Sequence, residues 1–575
     1  MNMIYRYIRP HLKAMSLGLV IKITGTIMDL FLPWILSYMI DTIVPVKNFN
    51  KIIEFGIIMI ICSIIAVTGN VVANRMASRV ARDCVYEIRN DLFTRISYMS
   101  CKQIDYYTIP TLVSRLSTDT YNVHQFIGRI QRLGVRAPIL LIGGIILTLK
   151  LEPVLSLVMI ATLPPLVLVV FFISKRGITL YAKLQKSVDS LVKTVRETYS
   201  GIRVIKALSK TDIEREKFDN IVKDVVNNEK KAGITMAISN PVMSLCLNLG
   251  LTIVVLTGAY RVNMGYTMPG TIIAFMSYFT IILNAMLSIT KMFTIASKGI
   301  ASANRIDEIL HLEPDIRVYS KEEYPDKESD YYIEFDNVSF SYLGKKDNIS
   351  NLSFGIKYNE TLGIIGNTGA GKSTILLLLL RFYDADSGNI YINGEHIKTI
   401  SFDRLHNMFG IVFQNDFLEA GNIRDNIDFG RDISDSDIID GIKYAQAYEF
   451  VDRLADGLMH NLVSHGSNLS GGQKQRVLLS RALCNNPDIL ILDDSSSALD
   501  YKTDALLRQA INEHLTPHAA LIVAQRVSSI MYSDRILVIE NGKAIGYGTH
   551  DELMKHCDIY RNISTSQMGG LYDAQ

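Results

Sequence analysis

The stretch Thr361-Leu-Gly-Ile-Ile-Gly-Asn-Thr-Gly-Ala-Gly-Lys-Ser-Thr374 holds the residues best suited to chemistry. Gly366, Asn367, Thr368, Gly369, Ala370, Gly371, Lys372 and Ser373 fit the spacing G-x-x-x-x-G-K-[ST]. Glycine at three of these positions lets the backbone wrap tightly and aim successive N–H groups at one anion. Lys372 adds a cation for β- and γ-phosphates, and the Ser373 hydroxyl can ligate Mg²⁺. The apolar run Leu362–Ile365 predicts a buried strand before the loop. The run Ile375–Leu380 predicts a helix after it, with its N-terminus toward the phosphates, and Thr374 is expected among the nucleotide-binding residues. A glycine-rich turn that binds nothing would not need strand, loop and helix in that order.

Two further stretches carry chemistry. Ile489-Leu-Ile-Leu-Asp493-Asp494 reads as a buried strand ending in two carboxylates. Asp493 is placed to hold Mg²⁺ through water, and Asp494 to polarise an attacking water. Many buried strands end in Asp, so this pattern gains its meaning from the phosphate loop upstream. In Leu469-Ser-Gly-Gly-Gln-Lys-Gln-Arg476, Ser470, Gly471, Gly472 and Gln473 open a predicted helix whose N-terminus is a second anion site. An ordinary Ser-capped helix reads the same way.

The elements that must position these residues divide the chain. At 575 residues it exceeds one core, and its hydrophobic share of 48% is high for a soluble protein. Six apolar stretches, near 15–40, 53–74, 133–149, 151–174, 236–260 and 268–293, approach the roughly 20 residues that a bilayer crossing needs. A large soluble core would not place six such stretches in a row. The third and fourth are parted only by Lys150–Pro153, which predicts a tight turn outside the membrane. Lys and Arg crowd the long loops after the second and fourth stretches, and the other loops carry few. Both termini and both long loops are therefore expected in the cytosol, in a multi-pass protein of the cell membrane.

Each long loop runs about 60 residues, too long for a plain connector. Val85, Ile88, Leu92 and Ile96 in the first, and Leu180, Leu184, Val188, Leu191 and Val195 in the second, recur at helical spacing, so the spans are expected to continue as helices. Among polar residues inside the spans, Asp29 is deepest and is expected to line a cavity. Lys22, Lys291, Arg129, Arg132 and Arg136 sit where snorkelling would suffice.

The predicted domains are a transmembrane domain over 1–312, a charged, Pro-containing linker over 313–330, an α/β nucleotide-binding domain over 331–565 and a tail over 566–575. A net charge of +2 points to no nucleic-acid partner. The six cysteines are scattered without a C-x-x-C pair, as fits reduced structural thiols. The N-terminus has no cleavable-signal pattern.

The L-S-G-G-Q stretch, together with the phosphate loop and the Asp493 strand, resembles the ABC transporter family. Six spans followed by one nucleotide-binding domain resemble a half-transporter of the exporter type. The resemblance implies ATP and Mg²⁺ as ligands. It implies that Tyr342, 24 residues before Gly366, stacks on adenine, and that Gln414 senses Mg²⁺ beside Ser373 and Asp493. It implies that Ser497–Asp500 meets the dimer interface. It implies short coupling helices near Thr118–Gln125 and Thr198–Lys206. ATP would be sandwiched between one subunit's phosphate loop and the other's Ser470–Gln473.

Three positions depart from the family's pattern. The residue after Asp493 is usually Glu but here is Asp494. The switch histidine is replaced by Gln525. A Glu often found before the signature is Ser464. Aspartate is one methylene shorter than glutamate, and losing a positioned base costs on the order of 10²–10⁴ in rate. Gln525 can donate a hydrogen bond but cannot become cationic. The chain thus resembles the degenerate half of a heterodimeric bacterial multidrug exporter. It would pair with a catalytically complete half and move small amphipathic drugs or lipids. The alternatives are a homodimeric lipid or peptide exporter, in which Asp494 and Gln525 are neutral variants, and an ATP-gated channel or regulatory subunit.

Overall fold

The structure is a computed structural model that describes residues 2–342, 344, 347–495, 497–515 and 517–568; most of the predicted 566–575 tail lies outside them. Contacts divide the chain into two units. One comprises Met1–Ser97 with Pro110–Leu312, and the other Tyr98–Ile109 with Glu313–Gln575.

The first unit is all helix. Its principal helices are α1 (Leu12–Tyr38), α2 (Phe49–Ser97), α4 (Thr120–Leu151), α5 (Pro153–Ser200), α7 (Thr211–Ala237), α8 (Ser239–Asn263) and α9 (Pro269–Leu310). Five stretches among the described residues, Met3–Ile43, Phe49–Ser97, Ile109–Leu151, Ser244–Asn263 and Pro269–Leu310, are long and apolar enough to cross a membrane. Pro153–Thr162 is a shorter apolar stretch at the start of α5. At 1.5 Å per residue, the 49 residues of α2 make a rod of about 73 Å, more than twice a hydrocarbon core. Helix therefore does continue well past the apolar stretch, and Val85, Ile88 and Leu92 form its buried stripe.

The packing is the inverse of a soluble bundle's. Ile57, Ile60, Ile61 and Ile64 lie on the outside of α2, while Ala66, Ala73, Ala77 and Ala81 face neighbours. Where α1 meets α2, glycine brings the backbones together: a Cβ on Gly25 would sit 3.2 Å from the Ala66 carbonyl oxygen. Small residues at helix contacts are what association in lipid requires. The tight turn between α4 and α5 is the single extended residue Glu152, followed by Pro153 at the first helical position. The Glu152 carboxylate is buried and pairs with Arg261 at 2.9 Å.

In the second unit, a four-stranded antiparallel sheet is built from β1 (Ile333–Phe340), β2 (Ile349–Ile356), β4 (Ser387–Ile392) and β5 (Glu395–His396), in the order β2-β1-β4-β5. A six-stranded sheet contains β3 (Glu360–Gly366), β6 (Phe409–Val412), β7 (Ile489–Asp493), β8 (Ala519–Val523), β9 (Arg535–Glu540) and β10 (Lys543–Gly548), in the order β10-β9-β3-β8-β7-β6. Its first five members from β9 onward run parallel, and only β10 is antiparallel. β7 is buried at every residue, as a strand covered on both faces must be. Segment 313–330 runs along this unit: the Tyr319 N–H bonds the Lys398 carbonyl and the Lys327 N–H bonds the Gly394 carbonyl.

One expectation is corrected. Thr118–Gln125 is not a short coupling helix. Arg115–Asp119 is a wide turn of helix that leads directly into the 32 residues of α4. The short helix lies earlier, at α3 (Cys101–Tyr107), and belongs with the second unit. Ser100 and Gln103 form a capping box that starts it, and Thr108 at φ +63° ends it. There Gln103 donates to the Glu313 carbonyl at 2.7 Å, and the Asp105 carboxylate accepts from the Tyr383 hydroxyl at 2.6 Å. In the second long loop, α6 (Ile202–Ala207) is a short helix that overlaps the expected Thr198–Lys206.

Candidate functional site: a nucleotide-binding loop and its carboxylates

Parallel strands converge their C-terminal ends on one edge, and the loops there collect the residues singled out above. β3 leads into the phosphate loop. At Gly366 the backbones approach so closely that a Cβ would lie 2.1 Å from the Ile539 carbonyl oxygen. Gly371, at φ +106°, is the N-cap of α10 (Lys372–Leu379) and offers no side chain to it. The helix thus starts at Lys372, three residues before the apolar run that predicted it, and its terminal N–H groups are left for an anion.

Lys372 folds back onto its own loop. Its Nζ donates to the Gly366 carbonyl at 2.7 Å and to the Asn367 carbonyl at 3.1 Å. Burial pulls its pKa below the ordinary lysine value, against the upward pull of Asp493 and Asp494. The Ser373 hydroxyl donates to Asp493 Oδ2 at 3.1 Å. Asp493 ends β7 almost wholly buried, at 4% exposure, and burial pushes its carboxyl above the usual range. The Ser373 hydroxyl and the Gln414 backbone N–H pull the other way.

These donors fit Mg²⁺. They are hard oxygens, a hydroxyl and a carboxylate, and the carboxylate is buried at a cost that a cation would offset. Among the described residues no three His, Cys, Asp or Glu form a metal-holding group. Most of an octahedron would then come from phosphate oxygens and water, as Mg²⁺ prefers.

Asp494 and Gln525 meet. Gln525 Nε2 donates to Asp494 Oδ2 at 3.0 Å, so two of the three departing positions engage each other. Asp494 is held at φ +51°, with its N–H on the Val523 carbonyl at 2.9 Å. The Ser497 hydroxyl donates to its carbonyl at 2.9 Å. Burial raises the Asp494 carboxyl, while Lys372 and Arg526 oppose that rise.

Gln567 is a residue that sequence reasoning missed. Its Nε2 donates to the Gln525 carbonyl and its Oε1 accepts from the Val527 N–H, both at 2.8 Å, so the last described helix fixes the backbone of the switch position. Its partners lie 42 and 40 positions away, so no local pattern signals it.

Tyr342 lies beside the start of α10. Its hydroxyl donates to Thr374 Oγ1 at 3.2 Å, and its ring meets Phe340 and Tyr383 edge-on. The Ser470–Gln473 group opens α11 (Gly471–Leu483), where Ser470 and Gln473 cap each other. A Cβ on Gly471 would meet nothing within 4 Å, and one on Gly472 would come within 3.2 Å of the Ala498 carbonyl. These residues make no hydrogen bond to residues 366–374 among the described residues. One chain thus brings together Tyr342, the phosphate loop, Ser373, the Gln414 backbone, Asp493, Asp494 and Gln525, and leaves the Ser470–Gln473 helix start elsewhere.

Comparison with known proteins gives the lineage. The family description "ABC transporter transmembrane region" matches residues 15–286, and "ABC transporter" matches residues 349–497. The chain is 32% identical over 566 residues to the ABC transporter ATP-binding protein YfiB of Bacillus subtilis (strain 168), covering 98% of each. This chain belongs to the ABC transporter family. It is also 27% identical over 567 residues to the ABC transporter ATP-binding protein Mb1304c of Mycobacterium bovis, covering 98% of this chain and 97% of the other. Its fold matches the structure of a bacterial Atm1-family ABC exporter with ATP bound. The TM-score is 0.79 at 21% identity, over 97% of this chain and 98% of that one. As an ABC transporter, the chain joins a membrane-spanning helical unit to an ATP-binding domain and couples ATPase chemistry to transport.

Proposed function

We propose that this ABC transporter chain is half of an exporter of amphipathic drugs or lipids, and that it contributes the slow ATP site of a heterodimer. The hydrogen bond between Asp494 and Gln525 carries the reading. Where a longer carboxylate and an imidazole would share a proton with the attacking water, a short carboxylate is tied to a neutral amide. An amide cannot change charge during the reaction, so it can orient a phosphate but cannot stabilise developing charge as His⁺ does.

The rest of the site supports tight nucleotide binding. Tyr342 would face adenine, the N–H groups of 366–374 and Lys372 would hold the phosphates, and Ser373, Asp493 and Gln414 would hold Mg²⁺. Ser470–Gln473, intact in sequence, would complete the partner's site, where the partner's own base drives hydrolysis. Both termini and the ATP-binding domain would lie in the cytosol.

The test is ATP turnover by the purified chain alone, with nucleotide binding measured in parallel and Lys372→Ala as control. Binding with negligible turnover, restored on addition of a complete partner half, is the expected result. Robust turnover abolished by Lys372→Ala would overturn the heterodimer reading and favour a homodimer.

A further inference from the structure

The membrane unit holds a cluster of charges within its apolar stretches. Asp29 on α1 accepts from Arg136 Nη2 on α4 at 2.9 Å and from Asn70 Nδ2 on α2 at 3.3 Å, both on Oδ2. About two turns along α1, Lys22 is 3% exposed and donates to Asn74 Oδ1 at 3.0 Å. Neither Lys22 nor Arg136 snorkels. Each is held by a partner on another helix.

Asp29 and Arg136 both line a cavity of about 310 Å³, with Leu140, Ile281, Asn284 and Ser288 among its walls. Here the Arg136 side chain is 40% exposed against 25% for Asp29, so the guanidinium is the more available charge. It is also the less satisfied. It has five N–H donors, and its Nε is enclosed without an acceptor. Asp29 Oδ2 already takes two donors. With Lys22 included, the cluster carries two cations against one anion. The remaining walls are apolar or neutral.

We propose that this cavity binds an amphiphile by its carboxylate or phosphate headgroup. Arg136 is the anchoring cation, and Asp29 is the built-in counter-ion that holds Arg136 when no ligand is present. Guanidinium suits either group, because its planar fork matches two oxygens at once. Leu140 and Ile281 take the start of the apolar tail. The inference rests on the reading that this unit moves amphiphiles, and it names their class.

The chain's single tryptophan, Trp34, lies about 7.5 Å along α1 from Asp29, outside the cavity walls, and is the intrinsic fluorophore for a binding titration. The full-length chain in nanodiscs of zwitterionic lipid, without nucleotide, is titrated with dodecanoate, dodecyl phosphate, dodecanol and dodecyltrimethylammonium, and Trp34 fluorescence is followed. Both anions are expected to bind at least tenfold tighter than the ammonium. Arg136→Gln should bring them down to the level of the alcohol, which also controls for partition into lipid. The tighter of the two anions names the headgroup. Preference for the ammonium, or unchanged anion affinity in Arg136→Gln, overturns the proposal. Should Arg136→Gln fail to fold, Asn284→Asp sets a negative charge in the same cavity. It should weaken both anions at least fivefold and leave the alcohol unchanged, and unchanged anion binding there overturns the proposal equally. No nucleotide is present, so the ATP-turnover experiment is independent: robust turnover by the chain alone with anion binding intact would strike only the heterodimer reading.

Discussion

Two glycine-containing helix starts in the ATP-binding domain stand in opposite states. α10 begins at Gly371, which brings no side chain, and its lysine is parked on the carbonyls of its own loop. α11 begins at Ser470, which shares a capping box with Gln473 and is already satisfied. Both point free N–H groups at an anion in principle. Only the first leaves them for a ligand in the same chain, beside a buried Asp493 and its Ser373 partner. The second is stable as it stands and has an open Cβ direction at Gly471. On the proposed function, the difference separates a site that would need phosphate to be complete from one that would wait for another subunit's nucleotide.

The strongest way to sharpen that contrast is to repair the first site. Asp494→Glu together with Gln525→His restores the longer carboxylate and a titratable partner. Turnover by the chain alone should rise on the order of 10²-fold, measured as steady-state phosphate release. No rise would mean that the limit lies outside these two residues.

The next effect breaks the first site. Lys372→Ala removes the cation that would leave the loop carbonyls for phosphate. A charge-assisted hydrogen bond contributes about 1.5–3 kcal/mol, so ATP affinity should fall about 10- to 100-fold by equilibrium binding. Ser470→Ala acts differently, because it removes a cap that the folded chain already uses. It should cost about 1 kcal/mol, seen as a melting temperature lower by about 2–4 °C, and that loss should appear without nucleotide. If Ser470→Ala left stability untouched, the capping box would not be what holds α11 closed.

What could be read in the sequence follows the range of the interactions. The phosphate loop was legible because its chemistry dictates local spacing, and the strand before it and the helix after it are short-range patterns. Asp493 was legible as the end of an apolar run. The long helical extensions were legible from periodicity at Val85, Ile88 and Leu92. The position of α3 was misjudged, although Ser100 and Gln103 already carry the spacing of a capping box. The Asp29–Arg136 pair was not legible, because its partners lie 107 residues apart on different helices. Lys22 was expected at a water interface, since hydropathy cannot show that Asn74 waits opposite it.

The smallest expected effect concerns pH, and it tests why the first site is unfinished. Burial holds the Asp493 carboxyl above its ordinary value of roughly 4. Between that value and the raised one, the folded chain binds more protons than the unfolded chain. Stability therefore falls as pH rises through this window, and the charged Asp493 is a net cost at neutral pH. A cation offsets that cost, because it binds the carboxylate and not the acid. Mg²⁺ should accordingly compete with a proton: its affinity should be flat near neutral pH and fall, by at most about tenfold per pH unit, once the pH drops below the raised value. The check is the Mg²⁺-dependent rise in melting temperature at fixed ATP, followed from pH 7.5 downward. Asp493→Asn should remove both the Mg²⁺ response and its pH dependence while leaving the nucleotide-free domain no less stable at neutral pH. A loss of stability in that variant would mean that the Ser373 hydroxyl and Gln414 N–H bonds outweigh the burial of the charge, and the loop would then be complete without its cation.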